Sequence, residues 1–79
     1  MKKGEWDRYR KKVLIPEYED RMYCEVCGRT GALGFHHIVF RSQGGKNELN
    51  NIILLCHKCH EKAHRSREFR LELERMRGL

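Results

Sequence analysis

Apolar residues recur along this chain in different rhythms, and each rhythm predicts a different element. Over residues 5–14, Trp6, Tyr9 and Val13 stand at i, i+3 and i+7 with arginine and lysine filling most positions between them. That spacing predicts a short amphipathic, basic helix. Pro16, the only proline, disfavours helical geometry at Ile15 and is expected to end the helix. Tyr23 to Gly34 is small and turn-prone, with Cys24 and Cys27 in it, and reads as a metal knuckle. Leu33 to Phe40, rich in aromatic and β-branched residues, predicts a strand. Arg41 to Asn51 contains Ser42-Gln43-Gly44-Gly45-Lys46-Asn47 and predicts a polar loop. Ile52 to Leu55 is an unbroken apolar run suited to a second strand, antiparallel to the first. Cys56 to Arg65 has helical character, with Glu61 and Arg65 placed as an i, i+4 pair. Residues 66–77 carry Phe69, Leu73 and Met76 at i, i+4 and i+7, a final helix that Gly78 is suited to end. The order predicts an α+β fold in one domain over residues 1–79, with no internal repeat or linker-like stretch.

Size changes this picture by demanding a staple. A chain of 79 residues buries only about 60% of the surface that its unfolded form exposes. With 39% hydrophobic and 35% charged residues, apolar burial leaves a small margin over chain entropy. Four cysteines can supply what is missing. Met1-Lys2-Lys3-Gly4-Glu5-Trp6 lacks the apolar run of a secretory signal, so a cytoplasmic chain is expected, and in a reducing compartment Cys-x-x-Cys pairs are metal sites more often than disulfides. No stretch approaches the roughly 18 apolar residues that span a bilayer, so no membrane role is expected.

Cys24-x-x-Cys27 and Cys56-x-x-Cys59 are matching half-sites separated by 28 residues. Four thiolates complete a tetrahedral zinc with no open position, as a structural site requires. A two-cysteine, two-histidine finger made of Cys24, Cys27, His60 and His64 fits poorly. Thirty-two residues separate Cys27 from His60, and Cys56 and Cys59 would have no purpose.

Four of the five histidines fall in two groups, His36-His37 in the predicted strand and His60 with His64 in the predicted helix. Residues four apart project from one helix face, so His60 and His64 can share one ion. A third imidazole from a strand packed on that helix would make a three-ligand site with positions open to water and phosphate. Neighbours in a strand point to opposite faces, so alternation leaves open which of His36 and His37 is that ligand. His57 is expected at the helix start, exposed. A formal charge of +6, from 17 Lys and Arg against 11 Asp and Glu, favours a polyanionic partner.

His36-His37-Ile38-Val39, Gly44-Gly45, Asn51-Ile52-Ile53-Leu54-Leu55-Cys56 and Cys59-His60-x-x-x-His64 together resemble the HNH, or His-Me finger, nucleases. The resemblance covers a core of residues 24–64 and leaves out the flanking helices at about 5–14 and 66–77. It implies a ββα-metal fold, with His37 as general base and His36, His60 and His64 around a catalytic divalent ion. It also implies that the Asn51 carbonyl accepts a hydrogen bond from a ring nitrogen of His37, with Asn50 as the fallback. An ordinary imidazole pKa of about 6.5 suits a base acting at physiological pH. The implied activity is endonucleolytic hydrolysis of DNA that leaves a 5′ phosphate and a 3′ hydroxyl. Arg41, Lys46, Arg65 and Arg67 are the expected nucleic-acid contacts, and phage packaging or restriction proteins are the partners that the resemblance suggests. Some relatives carry Asp where this chain has His36, and an all-histidine site leaves the ion open among Mg2+, Mn2+, Ni2+ and Zn2+, imidazole suiting zinc and nickel.

A second class of function uses the same charge without chemistry: a zinc module that binds nucleic acid through Arg8, Arg10, Lys11, Lys12, Arg41, Lys46, Arg65 and Arg67. A third, a scaffold for protein partners, predicts neither cleavage nor an ion at the histidines. Salt-sensitive binding is common to the first two, so only cleavage separates them.

Overall fold

The computed structural model describes residues 3–79; Met1 and Lys2, the first residues of the expected domain, lie outside it. Helix α1 (Lys3–Tyr9) runs into a π-helical segment (Arg10–Leu14) and then α2 (Ile15–Glu17). Strands β1 (Leu33–His37) and β2 (Ile52–Cys56) follow, then α3 (His57–Arg65) and α4 (Arg67–Arg77), with 3-10 turns at Arg41–Gln43 and Leu49–Asn51.

Helical backbone continues past Pro16, contrary to the expected stop. The Ile15 N–H reaches back five residues to the Arg10 carbonyl, which widens the turn just where a proline ring would meet the carbonyl four residues before it. The inserted residue also rotates the buried face. Leu14 is fully buried, while Val13, the residue expected inward, is only partly so.

The two strands pair antiparallel as expected, with Leu33 opposite Cys56 and His37 opposite Ile52. Every residue of β2 is buried because both faces of the sheet are covered. Ile53 and Leu55 pack with Cys24, Ile38, Ala63 and Leu73 on the side of α3 and α4. Ile52 and Leu54 pack with Leu14 and Tyr18 on the other, and Trp6, Tyr9 and Phe35 close over them. Alternation thus serves two cores at once, which is why the strand reads as an unbroken apolar run.

β1 stops at His37, short of the expected Phe40, because the Asn51 amide takes over the backbone beyond it. Asn51 Oδ1 accepts the Val39 N–H at 2.8 Å, and its Nδ2 donates to the Val39 and Lys46 carbonyls at 3.2 and 2.9 Å. The Ser66 hydroxyl accepts the Phe69 N–H and caps α4. At the far end Gly78, with φ 72°, lets its own N–H and that of Leu79 reach the Arg75 and Glu74 carbonyls. Leu73 is buried on α4 as expected, but Met76 is 48% exposed, lying on the outer side of the last turn. Glu61 lies 3.5 Å from His57, the residue four before it, and the expected Glu61–Arg65 pair is not found among the described residues.

Glu25, in the knuckle, ties these layers together. Its carboxylate accepts hydrogen bonds from the Tyr18 hydroxyl at 2.8 Å, the Leu54 N–H at 2.7 Å and the Arg77 guanidinium at 2.7 Å. Burial works to raise its pKa, but the bonds from Arg77, Leu54 and Tyr18 prevail and hold it below the ordinary 4.5. Glu25→Ala strands a cation, a hydroxyl and a strand N–H together, so urea unfolding of the zinc-loaded protein should show a loss of about 3 kcal/mol. A loss within error of zero would remove Glu25 from this role.

Candidate functional site

Two clusters of metal-ligating side chains form, one on each side of the start of α3. The first is the cysteine quartet. Cys24 and Cys27 come from the knuckle, Cys56 ends β2 and Cys59 lies in the first turn of α3, and the four sulfurs lie within 4.8 Å of one another. A zinc tetrahedron with bonds of about 2.3 Å has sulfur–sulfur edges of about 3.8 Å. Cys27 Sγ and Cys56 Sγ are 3.6 Å apart, so the donor set fits a structural zinc.

Ionisation of the quartet points the same way. Burial opposes it at Cys24, yet main-chain hydrogen bonds from Cys27, Cys56 and Val26 bring this thiol down to about 6. A main-chain bond from Cys59 also lowers Cys56. Cys59 is pushed up to about 12 by burial and by its neighbouring thiols. Sulfurs this close cannot all carry charge until a cation sits among them.

The second cluster joins β1 to α3. His36 projects from the sheet face that packs on α3, where His60 and His64 lie one turn apart, and one ring nitrogen from each falls within 4.8 Å of the others. The His36 ring centroid is 5.0 Å from that of His60 and 5.5 Å from that of His64. Phe40 stacks on His64 and meets the edge of His36, while Arg70 donates to the Ala63 carbonyl and, more weakly, to that of His64 at the end of α3. Alternation left the choice between His36 and His37 open and the resemblance implied His36; the structure places His36, not His37, beside His60 and His64.

His36 is 3% exposed, and its Nε2 has no hydrogen-bond partner among the described residues. A buried ring nitrogen without a partner costs stability unless something occupies it. Burial first, then the imidazoles of His60, His64 and His37, push the His36 pKa down from 6.5 to about 4. Burial and His64 also lower His60. Both rings are thereby kept in the neutral form that ligates a metal, so the donor set fits a divalent ion. Between pH 6.5 and 4 the folded state binds fewer protons at His36 than the unfolded chain does, so acid weakens the fold across that window. In NMR of protein with zinc but no second ion, the His36 ring should keep neutral-form shifts as pH falls from 6.5 towards 4. A midpoint at 6.5 would contradict its burial among the other rings.

His37 leaves β1 on the opposite face, with its ring centroid 4.5 Å from that of Trp6, yet it reaches the same opening. A cleft of about 190 Å³ is lined by Phe35, His36, His37, Phe40, Arg41, His60 and His64. It brings a three-imidazole donor set, a further histidine and Arg41 to one place.

Asn51 is buried beside this cleft but not on the His37 ring. Its main-chain carbonyl accepts the Ile38 N–H at 2.8 Å, and its side chain clamps Val39 and Lys46. The described partner of the ring is Asn47, whose Oδ1 lies 2.8 Å from His37 Nε2. The contact expected of Asn51 is corrected accordingly; Asn50, the fallback, is exposed. Among the expected nucleic-acid residues only Arg41 lines the cleft. Arg65 borders the next hollow with His57, His60, Glu61 and His64, while Lys46 and Arg67 are exposed. Arg10 and Lys11 both pair with Asp7.

Over residues 24–66, more than half of its length, the sequence matches the HNH endonuclease family. The chain belongs to the HNH endonuclease family. It is also 32% identical over 53 residues to Anaredoxin from Nostoc sp., an alignment covering 66% of this chain and 68% of that protein. The two-strand sheet, α3 and the cysteine cluster are the zinc-stabilised ββα domain of an HNH protein. The match supports a role on nucleic acid, with DNA the substrate of HNH nucleases. No helix among the described residues is long and apolar enough to cross a membrane.

Proposed function

We propose that this HNH protein is a metal-dependent endonuclease that hydrolyses DNA phosphodiester bonds in the cleft between β1 and α3. What carries this reading is the meeting of His36, His60 and His64 beside His37 and Arg41. Structural zinc sites are closed, and four cysteines already serve that purpose, so a second donor set of three, facing an open cleft, has the form of a catalytic one.

His37 is the general base. A neutral imidazole there takes a proton from water as the water oxygen attacks phosphorus and the bond from phosphorus to the 3′ oxygen breaks, leaving a 5′ phosphate and a 3′ oxygen that takes a proton from solvent to become the hydroxyl. Arg41 faces the same space and is suited to a phosphate oxygen through charge-assisted hydrogen bonds. His36, His60 and His64 would hold a divalent ion, which supplies Lewis-acid stabilisation of charge on the phosphate and on the departing oxygen, worth several kcal/mol. Imidazole donors favour zinc or nickel over magnesium.

Supercoiled plasmid is the substrate that tests this. The zinc-loaded protein should nick or linearise it when magnesium, manganese, nickel or zinc is supplied, and chelation of the added ion should stop the reaction. Salt-sensitive binding with the plasmid intact under all four ions would leave a non-catalytic nucleic-acid-binding module.

A further inference from the structure

We infer that Asn47 and Trp6 are positioning residues for His37, fixing its ring with Nε2–H donated to Asn47 so that Nδ1 is the nitrogen left to accept a proton. The inference rests on the nuclease reading for its catalytic consequence, though not for the contact itself. It reaches beyond the matched stretch, since Trp6 lies on α1, outside residues 24–66.

The backbone of β1 fixes where His37 starts but not how its ring turns, because the second side-chain torsion of histidine is broad. Two neighbours supply what the backbone does not. The Trp6 ring lies 4.5 Å away, tilted by 52°, and forms a wall. The Asn47 oxygen, at 2.8 Å, defines a direction within the ring plane. A neutral imidazole has one donor and one acceptor nitrogen, and an amide oxygen only accepts. Nε2 therefore carries the proton and Nδ1 keeps its lone pair.

Asn47 can do this because the loop on either side of it is pinned. Gly45 donates its N–H to the Phe40 carbonyl at 3.0 Å, and a Cβ there would fall 1.8 Å from the Val39 carbonyl oxygen, so only glycine fits. Asn51 Nδ2 holds the Lys46 carbonyl at 2.9 Å, and the Asn51 N–H closes the loop on the Glu48 carbonyl. Asn51 thus acts on His37 at one remove, by seating the residue that touches it. On its other side Asn47 borders a hollow with Tyr9, Arg8 and Lys12, so it sits between the first helical stretch and the cleft.

The test uses the full zinc-loaded chain with its added ion, cutting a duplex oligonucleotide, together with nitrogen-15 NMR of the His37 ring. Asn47→Ala should lower kcat by roughly tenfold or more while KM stays within about twofold, the pattern of lost positioning rather than lost binding. Asn47→Asp, which keeps an acceptor but has no donor, should restore most of the rate. Trp6→Ala should slow the reaction, and Trp6→Phe should retain most of it. In the spectra the parent should show a protonated Nε2, and Asn47→Ala a mixture of tautomers. An Asn47→Ala protein with the parent's rate and tautomer, or an Asn47→Asp protein as slow as Asn47→Ala, overturns the inference. A parent that never cuts defeats the nuclease reading instead, and the tautomer spectra still decide the contact.

Discussion

Replacing Cys56 by serine is expected to unfold the protein. Cys56 ends β2, is 1% exposed, and belongs both to the zinc quartet and to the larger core cluster with Ile53, Leu55 and Ala63. Zinc binding in finger peptides contributes on the order of 10 kcal/mol or more, and that energy is folding energy. Domains are stable by only about 5–15 kcal/mol in all, with short chains at the lower end. A serine oxygen is a poor substitute for one thiolate of four, so the weakened site takes most of the margin with it. Circular dichroism should lose the helical signal of α3 and α4, and zinc should fall below one per chain. Chelation of the parent should reproduce both changes. A Cys56→Ser protein that keeps one zinc and melts cooperatively near the parent's temperature would show that the quartet is not the staple.

His37→Ala should have the opposite profile, leaving the fold intact and removing the chemistry. Among the described residues His37 belongs to neither buried core cluster and is not one of the clustered imidazoles, so its removal is expected to spare folding and ion binding. A positioned general base contributes about 10²–10⁴ in rate, so single-turnover cleavage should fall by that factor. Zinc content, melting temperature and plasmid affinity should stay close to the parent's. If His37→Ala cuts at the parent's rate, another group takes the proton and the assignment is wrong.

Much of this was legible in the sequence for reasons that residue spacing explains. Cys24, Cys27, Cys56 and Cys59 announce themselves because a metal needs a fixed number of soft donors, and His60 and His64 because four residues make one helical turn. The antiparallel return of β2 follows from two apolar runs joined by a polar loop. Features that depend on three-dimensional context were hidden. The shift from Val13 to Leu14 comes from one extra residue in a helical turn, which periodicity cannot register. Asn47 is one polar residue among many in a loop, and what distinguishes it is the pinning of Gly45 and Lys46 by partners before and after it in the chain. Glu25 looks like a knuckle residue with turn propensity, and only the arrival of Arg77 from the far end of the chain makes it a hub. Asn51 stood out as a motif residue, yet its side chain serves the backbone of Val39 and Lys46 rather than the ring that analogy assigned to it.

The most direct measurement follows ion occupancy and cutting on one sample. Nickel or manganese is titrated into zinc-loaded protein mixed with supercoiled plasmid, and nicking is recorded against the second equivalent bound. Nicking should rise in step with that equivalent, and in His60→Ala both should vanish while the first zinc and the fold persist. Plasmid left intact at full occupancy, or a second ion held equally well by His60→Ala, would contradict the account.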